Sequence, residues 1–167
     1  GCRAWNNADD GWDLFASDDV VVIENSWAIS NGKIGPNQNN TNGDGNGFKA
    51  GGYGSTEKNR LPDPIPRHVI RKCVAVRNKA NGFYSNHHIG GNDWLNNSAY
   101  RNSTNFNMLC RTKDNATDVP GYGHVIKNCL GYMGRAEVSN LDAKACDIGV
   151  NHFSSEMKIT ERDFVSL

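Results

Sequence analysis

The hexapeptide Cys73-Val74-Ala75-Val76-Arg77-Asn78 decides the fold, because the chain repeats it. Four other segments align with it without gaps: CRAWNN from Cys2, SWAISN from Ser26, NSAYRN from Asn97 and CLGYMG from Cys129. The third column is small throughout: Ala4, Ala28, Ala75, Ala99 and Gly131. The fourth is bulky: Trp5, Ile29, Val76, Tyr100 and Tyr132. The sixth reads Asn7, Asn31, Asn78, Asn102 and finally Gly134. Three residues before the first column stand Ile23, Ile70, Trp94 and Ile126, and after the Asn column an aromatic returns as Trp12, Phe48, Phe83 and Phe106.

The segment starts lie 24, 47, 24 and 32 residues apart. A unit of about two dozen residues with insertions is the period of a solenoid. The leucine framework of leucine-rich repeats is absent, and short β-rich stretches such as VVVIENSWAI and HVIRKCVAVRN point to coils of a parallel β-helix. The expected fold is therefore all-β, a parallel β-helix of about five coils over residues 1–134. Residues 135–167 fit the repeat poorly and are expected to form an irregular last coil or an extension of the same domain. In stacked coils an Asn at a turn can donate to one neighbour and accept from the other, so the Asn column is read as a ladder.

Composition agrees and excludes several classes. The chain holds 23 Asn and 18 Gly, 41 of 167 residues that favour turns over helix interiors. Basic and acidic residues balance at 18 each, which argues against a phosphate-backbone binder. The longest aliphatic run, Val20-Val21-Val22-Ile23, is far too short for membrane insertion. The five cysteines form no CxxC pair, which argues against structural zinc. Three of them, Cys2, Cys73 and Cys129, share one repeat position and read as small buried apolar residues. A Cys110–Cys146 disulfide is one option open to the rest.

Two insertions interrupt the repeat. GKIGPNQNNTNGDGNG swells the turn after Asn31, and GYGSTEKNRLPDPIPRH follows Lys49. Both are rich in Gly, Pro, Asn and charge, so both are surface loops, and they flank Lys49. In the first coil the turn reads Ala8-Asp9-Asp10-Gly11-Trp12-Asp13. Three carboxylates in five residues repel one another unless a cation neutralises them, and dense oxygen ligands suit Ca²⁺. The residue after each inward aromatic is Asp13, Lys49, Tyr84 and Asn107, so Asp13 and Lys49 are expected to be outward neighbours about 5 Å apart. One reading is an acidic surface turn salt-bridged to Lys49. The other is a cation beside a lysine that can be neutral and act as a base, an arrangement suited to removing a proton α to a metal-bound carboxylate.

ADDGWDLF, ENSWAISNG and GNGFKAGG together resemble the family 9 polysaccharide lyases, which include pectate lyases built on a right-handed parallel β-helix. The resemblance runs from Cys2 to about Cys110. It implies that Asp9, Asp10 and Asp13 are calcium ligands in the DDGxD turn and that Lys49 is the catalytic lysine of the GNGFK motif. A further calcium-binding Asp of the family comes from a preceding coil, so the chain reads as a fragment of a longer enzyme. The implied activity is calcium-dependent β-elimination on a uronic-acid polymer such as polygalacturonate or rhamnogalacturonan. The implied partner is an acidic plant cell-wall polysaccharide, the implied location secreted, cell-surface or periplasmic, and a monomer is expected. Arg60, Tyr84, Asn86, His87, His88, Asn107 and Arg111 are the candidate sugar-binding residues. Two rivals stand beside this reading. A glycoside hydrolase would use Asp9 or Asp10 as acid and base but leaves Lys49 without a part. A non-catalytic sugar-binding or adhesion module explains the repeats but not the Asp cluster in register with Lys49.

Overall fold

Each repeat supplies short segments whose side chains alternate in and out, separated by tight turns, and such segments can pair only with the next repeat. The computed structural model describes residues 1–35, 37–54, 61–153 and 160–163, and shows three five-stranded parallel sheets running the length of a solenoid of five coils. Sheet A stacks Arg3–Trp5, Trp27–Ile29, Val74–Val76, Ser98–Tyr100 and Leu130–Tyr132. Sheet B stacks Trp12–Asp13, Phe48–Lys49, Asn81–Tyr84, Thr104–Asn107 and Ala136–Ser139. Sheet C stacks Val22–Glu24, Val69–Arg71, Asp93–Leu95, Val125–Lys127 and Asp147–Ile148. Residues 136–148 thus complete a fifth coil. Two antiparallel pairs stand outside the sheets, Lys33–Gly35 with Gln38–Asn39 and Cys110–Arg111 with Asp118–Val119. Among the described residues no helix is long and apolar enough to cross a membrane.

The interior is filled by the repeat columns. Phe48, Phe83 and Phe106 are fully buried, as are Ile70, Trp94 and Ile126. The Phe rings stack at 5.0 and 4.9 Å, the spacing of the strands that carry them. Ala28, Ala75 and Ala99 face them across the core, small against large. Each buried Phe or Ile contributes about 2 kcal/mol of apolar transfer. Phe153 leans on Phe106 at 4.9 Å and closes the far end of the stack.

The Asn column is a continuous ladder. Asn7 donates its side-chain amide to Asn31, Asn31 to Asn78, and Asn78 to Asn102, each at 2.9 Å. Where Gly134 breaks the column, Asn105 accepts from Asn102 at 2.9 Å and passes the chain to Glu137. Space for the ladder comes from glycine: a Cβ on Gly47 would sit 2.8 Å from Asn78 Nδ2 and 2.5 Å from the carbonyl of Gly82. The cysteine column divides. Cys73 and Cys129 are buried, whereas Cys2 is exposed. Cys110 and Cys146 are free thiols, directed at the carbonyls of Tyr122 and Gly121 respectively.

Candidate active site

A second ladder runs outside the first, and it builds the site. It begins in a short motif repeated ahead of the first three inward aromatics of sheet B: Asp10-Gly11-Trp12, Asn46-Gly47-Phe48 and Asn81-Gly82-Phe83. Asn81 donates its backbone and side-chain N–H groups to Asn46 Oδ1 at 3.2 and 2.7 Å. Asn46 donates the same pair to Asp10 Oδ1 at 2.6 and 2.9 Å. Asp10 therefore occupies an asparagine's rung with a carboxylate. Its Oδ1 does the rung's work, while Oδ2 is buried without a hydrogen-bond partner. Lys49 Nζ stands 3.2 Å from that oxygen.

Sheet B pairs Asp13 with Lys49 and Lys49 with Tyr84, so the three project outward from successive coils. Lys49 Nζ is 3.2 Å from Asp13 Oδ2 and 3.9 Å from Asp44 Oδ2. Burial pulls the Lys49 pKa down, but Asp10 and Asp13 outweigh it and hold it above the ordinary lysine value. Burial likewise raises the Asp10 carboxyl, only partly offset by the Asn46 N–H and Lys49. A buried carboxylate oxygen with no hydrogen bond is costly unless a cation meets it.

The acidic cluster is not confined to the first turn. Asp9, Asp10 and Asp44 each offer a carboxylate oxygen, all within 4.8 Å of one another. Asp44 comes from the long insertion, and its N–H donates to Asp9 Oδ1 at 2.6 Å. The insertion is anchored where Gly43 lies against Asp9, and its carbonyl accepts from Lys79 Nζ. Asp13 stands on the other side of Lys49, its Oδ1 accepting the Phe15 N–H at 2.8 Å. Hard oxygen donors from two coils, one of them the buried Asp10 Oδ2 that Lys49 faces, fit Ca²⁺. Asp44 was not among the residues singled out from sequence. It lies far from the DDGxD turn along the chain and meets it only through coil stacking.

The remaining candidates separate into two groups. Tyr84, His87 and Arg111 form one exposed-to-half-buried network beyond Lys49. Tyr84 Oη and His87 Nε2 are 2.9 Å apart, His87 Nδ1 and Asp118 Oδ1 2.7 Å, and Arg111 Nε donates to the same oxygen at 2.9 Å. Burial, with the Asp118 and Asp44 charges, pushes the Tyr84 phenol up to about 12. Slight burial raises the Asp118 carboxyl, but Arg111 and His87 outweigh it and hold it below the usual range. Asn107 follows Tyr84 in the outward column and joins the outer ladder, donating to Asn81 at 3.2 Å. His88 and Asn86, by contrast, are buried. His88 Nδ1 accepts the Gly52 N–H at 3.1 Å and Nε2 meets the Pro66 carbonyl at 2.8 Å; Asn86 donates to the Gly51 carbonyl at 2.7 Å. Both brace the segment after Lys49, where a Cβ on Gly52 would lie 2.0 Å from the Asn86 carbonyl. Arg60 lies outside the described residues.

The chain is similar to several known proteins. The family described as "Pel9A-like, right handed beta helix region" matches residues 1–115. Pectate lyase L of Dickeya chrysanthemi is 38% identical over 167 residues, all of this chain and 35% of that protein. A solved rhamnogalacturonan lyase superposes with a TM-score of 0.88 at 38% identity, over 100% of this chain and 41% of its own. Solved pectate lyase Pel9A gives 0.72 at 33% identity, over 99% of this chain and 36% of its own. The chain thus spans about a third of the length of the curated pectate lyases L of Dickeya. With the coil architecture and the matched residues together, the chain belongs to the Pel9A-like right-handed β-helix family.

Proposed function

We propose that this chain carries the catalytic centre of a polysaccharide lyase that cleaves a pectic, uronic-acid-containing polymer by β-elimination. The observation that carries the reading is Lys49, held in register between Asp10 and Asp13 beside a convergence of carboxylates that outnumbers its single ammonium. Asp9, Asp10 and Asp44 would hold calcium, with Asp13 the fourth carboxylate at the rim. Bound there, calcium would neutralise these carboxylates and acidify the proton α to a substrate carboxylate.

The protein's own groups do the rest. Lys49 Nζ, released from the pairing that keeps it protonated, accepts the C5 proton. The C5–H electrons become the C4–C5 double bond, and the C4–O4 bond breaks. The departing oxygen takes a proton from water, leaving a 4,5-unsaturated sugar end. Arg111 supports a fixed, planar cation for a neighbouring uronate carboxylate, and Tyr84, His87 and Asn107 present polar edges along the same face. An enzyme of this kind acts where plant cell-wall polymer is, outside the cell, and needs no second copy to complete the centre. The test is to incubate the full-length protein with polygalacturonate and with rhamnogalacturonan, with and without chelator, and follow the ultraviolet absorbance of unsaturated product. Product that appears only with divalent cation supports the reading. Saturated reducing ends overturn it.

A further inference from the structure

The solenoid has two turn columns in which every residue adopts the left-handed backbone conformation, and their compositions differ. Between sheets C and A the column is Asn25, Lys72, Asn96 and Asn128, with φ of 52–57°. Asparagine tolerates this conformation best among residues with a side chain. Between sheets A and B the column is Asn6, Ser30, Arg77, Arg101 and Met133, with φ of 53–57°. Arginine carries no such tolerance, yet it stands there in two successive coils. The Arg77 N–H donates to the Tyr100 carbonyl at 2.9 Å, so the two guanidinium stems rise one strand spacing apart. Arg101 lies over the Tyr100 ring, 5.0 Å from its centroid, whereas Arg77 is exposed.

A groove of about 940 Å³ opens over this column, lined by Asn6, Ser30, Arg77 and Arg101 on the coil side and by Lys33, Ile34 and their neighbours on the antiparallel insertion. Among the described residues no carboxylate lines it, and neither Lys33 nor Arg77 forms an ion pair. Ile34 is 60% exposed and gives one wall an apolar face. None of these residues belongs to the cluster around Lys49.

We propose that this groove is a second, non-catalytic binding site for an acidic polysaccharide, a uronate chain held by Lys33 and Arg77. The identification of the polymer rests on the lyase reading above. The ligand chemistry follows from the groove itself. Two cations on opposite walls of the groove, Lys33 and Arg77, suit an anion whose carboxylates repeat along a chain, since the second pair forms at high effective concentration. A guanidinium engages a carboxylate through two parallel N–H donors. The apolar wall at Ile34 suits the face of a sugar ring. A polymer caught here while another stretch lies over Lys49 would be held through successive cuts.

The experiment uses the full-length protein carrying Lys49→Ala, in chelator, so that neither turnover nor calcium-bridged binding contributes. Calorimetry with a short oligogalacturonate is compared before and after adding Lys33→Gln with Arg77→Asn, the second substitution chosen because Asn suits a φ of 54°. Affinity is expected to fall by about tenfold or more, and by a similar factor when the probe is methyl-esterified. Arg77→Lys, which keeps the charge, should retain most of the binding. Unchanged affinity in the double variant, or equal affinity for the esterified probe, overturns the proposal. Displacement of the oligomer by equimolar inorganic phosphate also overturns it, since the site would then be an unselective anion site. The lyase reading fails separately: Lys33→Gln with Arg77→Asn, made in protein with Lys49 intact, leaves the rate on a very short oligomer unchanged, and absence of unsaturated product there sinks the lyase without touching the binding result.

Discussion

Asp10 accepts two hydrogen bonds from Asn46 on a single carboxylate oxygen, and so turns a structural rung into a charged one. The ladder that registers the coils also aims the other oxygen at Lys49. Fold and chemistry share one side chain there, which sets what each substitution can report.

Asp10→Asn and Asp10→Ala should therefore differ. The Asp10 side chain is only 2% exposed, so the premise of an exposed acidic turn does not hold at this position. Asparagine keeps the Oδ1 acceptor and should leave stability nearly unchanged while weakening calcium binding. Alanine orphans two Asn46 donors and should cost about 1–3 kcal/mol in addition. Calcium titration and urea unfolding of the two variants, side by side, check this; equal calcium affinity in Asp10→Asn and the parent would remove Asp10 from the ligand set.

Lys49→Ala in the full-length protein should lower turnover by about 10²–10⁴-fold, the usual contribution of a positioned base, with folding intact. Lys49→Arg should fail as well, because a guanidinium does not release its proton to become a base. Activity should fall at low pH as the lysine stays charged. A Lys49→Arg enzyme of normal rate would instead move a hydrolase mechanism through the carboxylates ahead.

The inner ladder predicts a gradient of stability effects. Asn78 accepts from Asn31 and donates to Asn102 and to the Ala28 carbonyl, all in the buried interior. Asn78→Ala should destabilise by on the order of 3 kcal/mol, since several buried groups lose partners. Asn7→Ala, which removes a single side-chain hydrogen bond to Asn31, should cost less, about 1 kcal/mol. Urea midpoints that do not separate the two variants would show that the ladder is not what holds the coils in register.

Buried histidines predict an acid limit. Burial, with the neighbouring His88, lowers His68 to about 4, and burial lowers His124 to about 4 against its opposing hydrogen bonds with the Met108 carbonyl and the Asn92 backbone. Both lie below the unfolded value of about 6.5, so between those values the unfolded chain binds protons that the folded chain refuses. The stability held by the neutral rings is fully present above about pH 6.5 and is lost as pH falls toward 4, on the order of 3 kcal/mol for each ring. His124→Asn should flatten this slope, because Asn92 already serves the same column. Unfolding midpoints measured at intervals from neutral pH down to 4 decide it; a slope unaltered in the variant would assign the acid limit to the carboxylates.

Periodicity alone determined the coils, the aromatic and alanine columns, the inner ladder and the pairing of Asp13 with Lys49. These are properties of a repeat: identical positions in successive coils must stack, so alignment along the chain is alignment in space. The outer ladder is written in the Asp10-Gly11, Asn46-Gly47 and Asn81-Gly82 pairs, a fainter signal than the Asn column because one rung is Asp. Other features were decided only by tertiary structure, and each involves an insertion or a turn that the repeat does not constrain. Asp44 reaches Asp9 because a loop folds back over the first coil. His88 and Asn86 turn inward although they adjoin His87, because left-handed φ at Asn86 and His87 redirects the chain. Asp118 joins Arg111 and His87 through a hairpin pairing outside the coils. A period fixes neighbours one coil apart, whereas a loop's path is set by hydrogen bonds and packing it makes only once the coils are stacked.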